Sequence, residues 1–148
     1  MDIFDLADIP IYNQDHEHTL PASVERLKAA IQRADAVLFA TPEFNYSVSG
    51  VLKNAIDWAS RPAGANVWAS KPAAVIGASA GMLGTARAQY HLRQILVGLD
   101  MPTVNQPEVM VAGARERFDG NGQLSDAKSK MLLDQLLARL TDMARRLR

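Results

Sequence analysis

Two short apolar runs, joined by an amphipathic segment, constrain this chain more than any other feature of its sequence. Residues 36–40 (AVLFA) and 73–76 (AAVI) carry no charge, and a proline lies close to each run. Such continuous apolar runs are typical of strands that are buried on both faces of a sheet. Between them, residues 50–60 repeat apolar side chains at helical spacing, which predicts a crossover helix. The two runs are therefore expected to be parallel strands of a βαβ unit.

The same alternation extends on both sides of this unit. Further helices are predicted over residues 23–33, with Ser23 as the N-cap, and over residues 86–97 and 125–146, while residues 102–111 are expected to be extended. This order predicts an α/β fold: an open, mostly parallel sheet with helices on both faces. Ligands of such sheets bind beyond the carboxyl ends of the strands. A site is therefore expected directly after Ala40 and Ile76.

Length and composition limit the classes of partner. The 148 residues suit one domain, residues 1–148, and sixteen basic residues balance sixteen acidic ones, so neither nucleic acid nor an anionic membrane is an expected partner. The chain has no cysteine, its start is not secretory, and no apolar stretch is long enough to span a bilayer. A cytoplasmic protein that binds small molecules or copies of itself is expected.

Two polar clusters resemble metal sites only superficially. His16, Glu17 and His18 have no further ligand at a suitable spacing, so a surface loop is expected there. Residues 119–122 (DGNG) lack the spacing and the terminal glutamate of a calcium loop and are expected to form a turn. No metal is therefore predicted.

The two segments after the apolar runs suit a planar ligand. In residues 41–50 the Asn45 amide can match the polar edge of a heterocycle, while Phe44 or Tyr46 supplies an apolar wall. A plain connecting loop is the alternative, with Asn45 bonding its own backbone. Residues 77–85 are small and glycine-rich, which would let a ligand approach the backbone, although a turn and helix cap would look the same. Both loops follow adjacent predicted strands, so one cleft is expected.

Residues 41–47 (TPEFNYS), 50–58 (GVLKNAIDW), 79–87 (SAGMLGTAR) and 90–94 (YHLRQ) resemble the NAD(P)H-dependent FMN reductase family, which includes bacterial chromate and quinone reductases and some azoreductases. This resemblance implies a flavodoxin-like fold. It also implies flavin contacts from Pro42, Glu43, Phe44 and Asn45 in the first loop and from Ala78, Ser79 and Gly81 in the second. The cofactors implied are FMN and NAD(P)H.

Several positions depart from the family's pattern. Phe44 stands where tyrosine is usual, Ser49 replaces a proline, and Thr85 replaces a glycine. Residues 1–12 resemble the family's second strand and the loop after it. The first βα unit, whose loop holds the FMN phosphate, is therefore expected to be missing, and the domain is interpreted as N-terminally truncated.

The resemblance implies that FMN passes hydride from NAD(P)H to a small-molecule electron acceptor such as a quinone, a dye, chromate or free flavin, with no side chain as a general acid or base. Arg61 is expected to attract an anionic substrate or the NADPH phosphate, although a solvated arginine at a helix end is equally consistent. The resemblance also implies that Arg87, Tyr90, Arg93 and Glu108 lie at subunit contacts of a homodimer or homotetramer, with a solvated helix face as the alternative.

Two other functions stay open from the sequence. A flavin-free truncated paralogue or fragment could act through oligomer assembly, as the missing phosphate loop suggests. A binding module for a different planar ligand would also use both loops.

Overall fold

Three parallel strands form one sheet in the computed structural model, which describes residues 1–147. They are β1 (Val37–Ala40), β2 (Ala73–Ala78) and β3 (Val109–Val111), in the order β1-β2-β3. Val37 lies opposite Ala73, and Ile76 lies opposite Val109. The predicted parallel pairing of the two apolar runs is therefore confirmed.

Helices cover both faces of this sheet. They are α1 (Ala22–Arg33), α2 (Gly50–Ala59), α3 (Ala86–Gly98), α4 (Ala114–Arg117) and α5 (Ala127–Arg146), and a short 3-10 turn spans Gln14–His16. Because successive strand side chains alternate between faces, β1 and β2 contribute to two apolar clusters. One cluster joins Phe39 and Val75 to α1, α2 and α3, and the other joins Ala74 and Val109 to α5. The predicted α/β architecture is confirmed.

One local prediction, the cap of α1, was wrong, whereas the strand expected within residues 102–111 is present but short. Ser23 is not the N-cap of α1, because the helix already begins at Ala22, and Pro21 at the cap position offers no side-chain hydrogen bond. Within residues 102–111, only Val109–Val111 form a strand, while Thr103 makes a single bridge to Ala73. Prolines at positions 102 and 107 have no N–H to donate to a ladder, which confines regular pairing to the end of the segment.

The first twelve residues contain no strand, although they resemble one in sequence. A strand needs a hydrogen-bonded neighbour, and the polar groups of this segment bond to α2 instead. The Trp58 indole donates to the Pro10 carbonyl at 2.8 Å, and the Tyr12 amide donates to Asn54 Oδ1 at 2.8 Å. Leu6 packs against the first apolar cluster, whereas Ile3 stays 91% exposed.

The two polar clusters of the sequence adopt ordinary local structures. Residues 119–122 form the predicted turn, in which Asp119 Oδ1 accepts hydrogen bonds from the Asn121 and Gln123 amides. Glu17 is almost buried and accepts a hydrogen bond from the Tyr12 hydroxyl. Within residues 1–147, no helix is both long enough and apolar enough to cross a membrane.

Candidate functional site

The loop after β1 ends in a tight turn that exposes two aromatic rings. Phe44 and Ser47 exchange two backbone hydrogen bonds of 3.0 Å, and the residues between them, Asn45 and Tyr46, have φ of 49° and 68°. Two consecutive positive φ angles are typical of a two-residue hairpin turn, and asparagine tolerates this conformation well. As a result the Phe44 and Tyr46 side chains are 61% and 66% exposed.

The Glu43 carboxylate connects this loop to α3. It accepts hydrogen bonds from the backbone amides of Arg87 and Ala88, at 3.1 and 3.3 Å, and pairs with the Arg87 guanidinium. Thr85 precedes the helix in a left-handed conformation and provides no side-chain cap. Glu43 therefore satisfies amides that a helix N-terminus leaves free, and it does so from 44 residues away in sequence.

Glu43 carries a negative charge in this arrangement. Burial acts to raise the pKa of the Glu43 carboxyl, but the hydrogen bonds from Arg87 and from the Ala88 amide outweigh that effect and hold the pKa below its usual value. Since the Glu43 side chain is bound to α3, only its backbone is free for a flavin contact, which stays a prediction.

Two further contacts tie the first loop to α3. The Arg87 guanidinium carbon lies 3.6 Å from the centre of the Tyr46 ring, a cation–π contact. His91 Nδ1 lies 3.1 Å from Ser47 Oγ. Arg87 is therefore engaged by Glu43 and Tyr46 of its own chain. The subunit contact that the resemblance implied for Arg87 stays a prediction.

Two glycines in and beside the second loop are required by close packing. A Cβ on Gly77 would lie 2.0 Å from Thr85 Oγ1 and 2.5 Å from the Thr41 carbonyl oxygen. Gly84 has φ of +52°, and its Cβ would lie 2.6 Å from the Met110 carbonyl carbon. At this edge of the sheet the backbones around β1, β2 and β3 therefore lie so close together that neither glycine has room for a side chain.

Gly81 differs from both, because the protein itself does not require a glycine there. Its Cβ would meet only Ser79 Oγ, at 3.9 Å, and its φ lies outside the left-handed region. Gly81 is exposed, and the neighbouring Met82 side chain is 93% exposed. The backbone at Gly81 is thus open to close approach by a ligand.

A third loop, which the sequence analysis did not identify, completes this edge of the sheet. After β3, the Gly113 amide donates to the Gly81 carbonyl at 3.1 Å, and the Ala114 amide donates to the Ser79 carbonyl at 2.9 Å. The Ser79 amide in turn donates to the Val111 carbonyl at 3.0 Å. In the sequence, this loop could have been identified from the small residues Ala112, Gly113 and Ala114, which directly follow the apolar residues of β3.

The structure brings most of the predicted site residues to one edge. Pro42, Glu43, Phe44 and Asn45 follow β1, Ala78 is the last residue of β2, and Ser79 and Gly81 follow it. Arg61 lies elsewhere: it follows α2, whose ten residues carry the chain roughly 15 Å from the loop. Its Nε atom lies 4.0 Å from Glu17. A substrate-binding role for Arg61 therefore stays a prediction.

The groups that these loops expose are of the kinds that bind a planar heterocycle. Backbone groups near Asn45 can meet its polar rim, the exposed Phe44 ring can wall one side, and Gly81 leaves space for the other. Ligands of parallel α/β sheets bind at this edge. Fold and site together define a flavodoxin-like α/β protein whose candidate ligand-binding residues gather at this edge.

The chain belongs to the NADPH-dependent FMN reductase family, whose model matches residues 1–116. An NAD(P)H-dependent FMN reductase from Pseudomonas aeruginosa is 54% identical over 149 aligned positions, which cover all of this chain and 80% of that protein. A 2-hydroxy-1,4-benzoquinone reductase from a Burkholderia species is 43% identical, covering 92% of this chain and 74% of the relative.

A solved structure supports the same assignment. The flavoenzyme NAD(P)H:(acceptor) oxidoreductase from Paracoccus denitrificans superimposes with a TM-score of 0.86 at 40% identity, covering 95% of this chain and 78% of that one. The flavodoxin-like fold implied by the sequence motifs is confirmed.

Proposed function

We propose that this protein binds FMN at the carboxyl edge of the sheet and reduces quinones with electrons from NAD(P)H. The observation that carries the proposal is the conjunction of two loops on adjacent strands, one offering an exposed aromatic turn and the other an unobstructed glycine. The names of two relatives, an FMN reductase and a benzoquinone reductase, support the choice of cofactor and acceptor.

The residues of the two loops divide the work of holding the cofactor. The backbone of Pro42 and Asn45 would meet the polar edge of the ring, Phe44 would form an apolar wall, and Ser79 with Gly81 would border the opposite side. When bound, FMN supplies the hydride chemistry between the nicotinamide and the acceptor. Glu43 keeps the first loop in register with α3, so its carboxylate orients the site without transferring a proton.

The acceptor is tested by comparing initial rates with benzoquinones, azo dyes, chromate and free FMN at fixed NADPH. We expect quinones to give the highest kcat/KM, because a flat, partly apolar acceptor matches the Phe44 wall. A higher kcat/KM for chromate or for dyes would contradict quinones as the acceptor but would not affect FMN as the cofactor.

We also propose that the chain forms a homodimer or homotetramer. Val51 on α2 and Val97 on α3 are 56% and 78% exposed, and Tyr90 is half-exposed. Large apolar side chains that a helix leaves exposed to solvent are candidates for an interface. Light scattering coupled to size-exclusion chromatography tests this, with a monomer mass as the contradicting result.

A further inference from the structure

An arginine directly follows the third loop, at the carboxyl edge of the sheet. Arg115 is the second residue of α4 and is exposed. Two residues before it, the Gly113 amide is hydrogen-bonded to the Gly81 carbonyl. Since two residues span at most about 7 Å, Arg115 stands close to the segment that borders the proposed ring position.

The other arginines near this edge are already paired. Arg87 is bound by Glu43, and Arg117 forms an ion pair with Asp126. Arg115 has no ion-pair partner within residues 1–147. Among the described residues near this rim, Arg115 thus offers an exposed guanidinium without an ion-pair partner to a ligand.

We infer that Arg115 binds a phosphate group of the nicotinamide dinucleotide. The inference rests on the proposed function, and it assigns to Arg115 the role that the sequence had suggested for Arg61. A nicotinamide that reaches the flavin must enter between the loops, which leaves its phosphates toward the rim. The planar guanidinium offers paired N–H donors that match phosphate oxygens.

The next residue opposes this attraction. The Glu116 carboxylate turns back toward Gly113, where it lies 3.4 Å from the position that a Cβ on that glycine would take. A carboxylate beside the rim repels phosphate. Replacing Arg115 and Glu116 should therefore have opposite effects. Loss of the Arg115 charge should weaken phosphate binding, and loss of the Glu116 charge should strengthen it.

The test is calorimetric titration of the full chain, with FMN added, using adenosine 2′,5′-bisphosphate and ADP as probes. Arg115→Gln is expected to weaken binding of the bisphosphate roughly 3- to 10-fold, and Glu116→Gln to tighten it about twofold. If Arg115→Gln weakens binding of the bisphosphate alone, Arg115 binds the 2′-phosphate. If it weakens binding of both probes, Arg115 binds the diphosphate. Raising the salt concentration should shrink the difference from wild type.

Arg145→Gln is the matched control, because it removes the same charge from an exposed arginine in the last turn of α5. Its neighbour Ala144 borders a surface cavity with Pro72, at the amino end of β2 and so at the opposite edge of the sheet. This variant is expected to bind both probes as the wild type does. Thermal melts verify that all three variants fold.

Unchanged binding by Arg115→Gln, or an equal loss in Arg145→Gln, would overturn the inference. A wild-type chain that binds neither probe would also overturn it. These outcomes differ from failure of the proposed function, which would be seen as a chain that binds no FMN. If NADPH bleaches bound FMN with the same KM in wild type and Arg115→Gln, only the role of Arg115 is wrong.

Discussion

The two loops that border the cleft are stabilised in different ways. Side chains hold the first loop: Glu43 binds the α3 amides, Tyr46 stacks under Arg87, and Ser47 contacts His91. Close backbone approach holds the second, at Gly77 and Gly84. The first loop can therefore lose contacts singly, whereas the second has no room for one additional methyl group at either glycine.

Some residues of the two loops stabilise them, whereas others are free to bind a ligand. Phe44 is mostly exposed although it is large and apolar, and Gly81 is a glycine without a packing reason. Each loop thus contains at least one residue that its own stability does not explain. We interpret these two positions as the contacts with the flavin ring.

The largest effect is expected from Gly77→Ala. The added methyl group would overlap Thr85 Oγ1 and the Thr41 carbonyl oxygen, so the free energy of unfolding should fall by about 3 kcal/mol. Gly50→Ala is the matched control, because a Cβ there meets nothing within 4 Å. Urea unfolding of both variants measures the difference. Equal stabilities would show that the second loop is not tightly packed.

Replacement of Glu43 tests the side-chain connection of the first loop. Glu43→Ala leaves the Arg87 and Ala88 amides without their acceptor and should lower Tm by about 5 °C, while Glu43→Gln keeps an acceptor and should lower it less. Differential scanning calorimetry at neutral pH measures both. A Tm equal to that of the wild type in Glu43→Ala would exclude a capping role.

The same carboxylate predicts a pH dependence. The pKa of Glu43 in the folded protein lies below its unfolded value. Its contribution to the free energy of unfolding is therefore complete above the unfolded pKa and is lost as pH falls through the folded pKa. Wild-type stability should therefore decline below about pH 4.5, and this component should be absent in Glu43→Gln. Urea midpoints between neutral pH and about pH 3 compare the two proteins. Parallel pH profiles would contradict the assignment.

Gly81→Ala should leave stability unchanged and weaken FMN binding. A methyl group at this position contacts only Ser79 within the protein, so unfolding should shift by less than about 0.5 kcal/mol. The dissociation constant for FMN should rise about 10-fold if the ring lies against the Gly81 backbone. Flavin fluorescence titration measures the constant. Unchanged affinity would remove Gly81 from the site.

The smallest effect is expected from Phe44→Ala. Loss of one aromatic wall should raise the dissociation constant for FMN roughly 3- to 10-fold, and the exposed ring contributes little to stability. Phe44→Tyr keeps the wall and should bind FMN as the wild type does. If both variants bind equally, the ring does not contact the flavin.

Much of the fold could be predicted because its signals are local. Apolar runs and neighbouring prolines placed β1, α2 and β2 within about two residues. The contact between Glu43 and α3 could not be predicted, since 44 residues separate the partners and no local pattern links them. The third loop was missed for a similar reason: its place beside Ser79 depends on the pairing of β3 with β2.

The most direct test of the account is the visible absorbance of the purified full chain, titrated with FMN and then with NADPH under anaerobic conditions. We predict a saturable change in the flavin bands on binding, followed by bleaching when NADPH is added. An FMN spectrum that stays that of the free cofactor at every protein concentration would contradict the central claim and favour a flavin-free role in assembly.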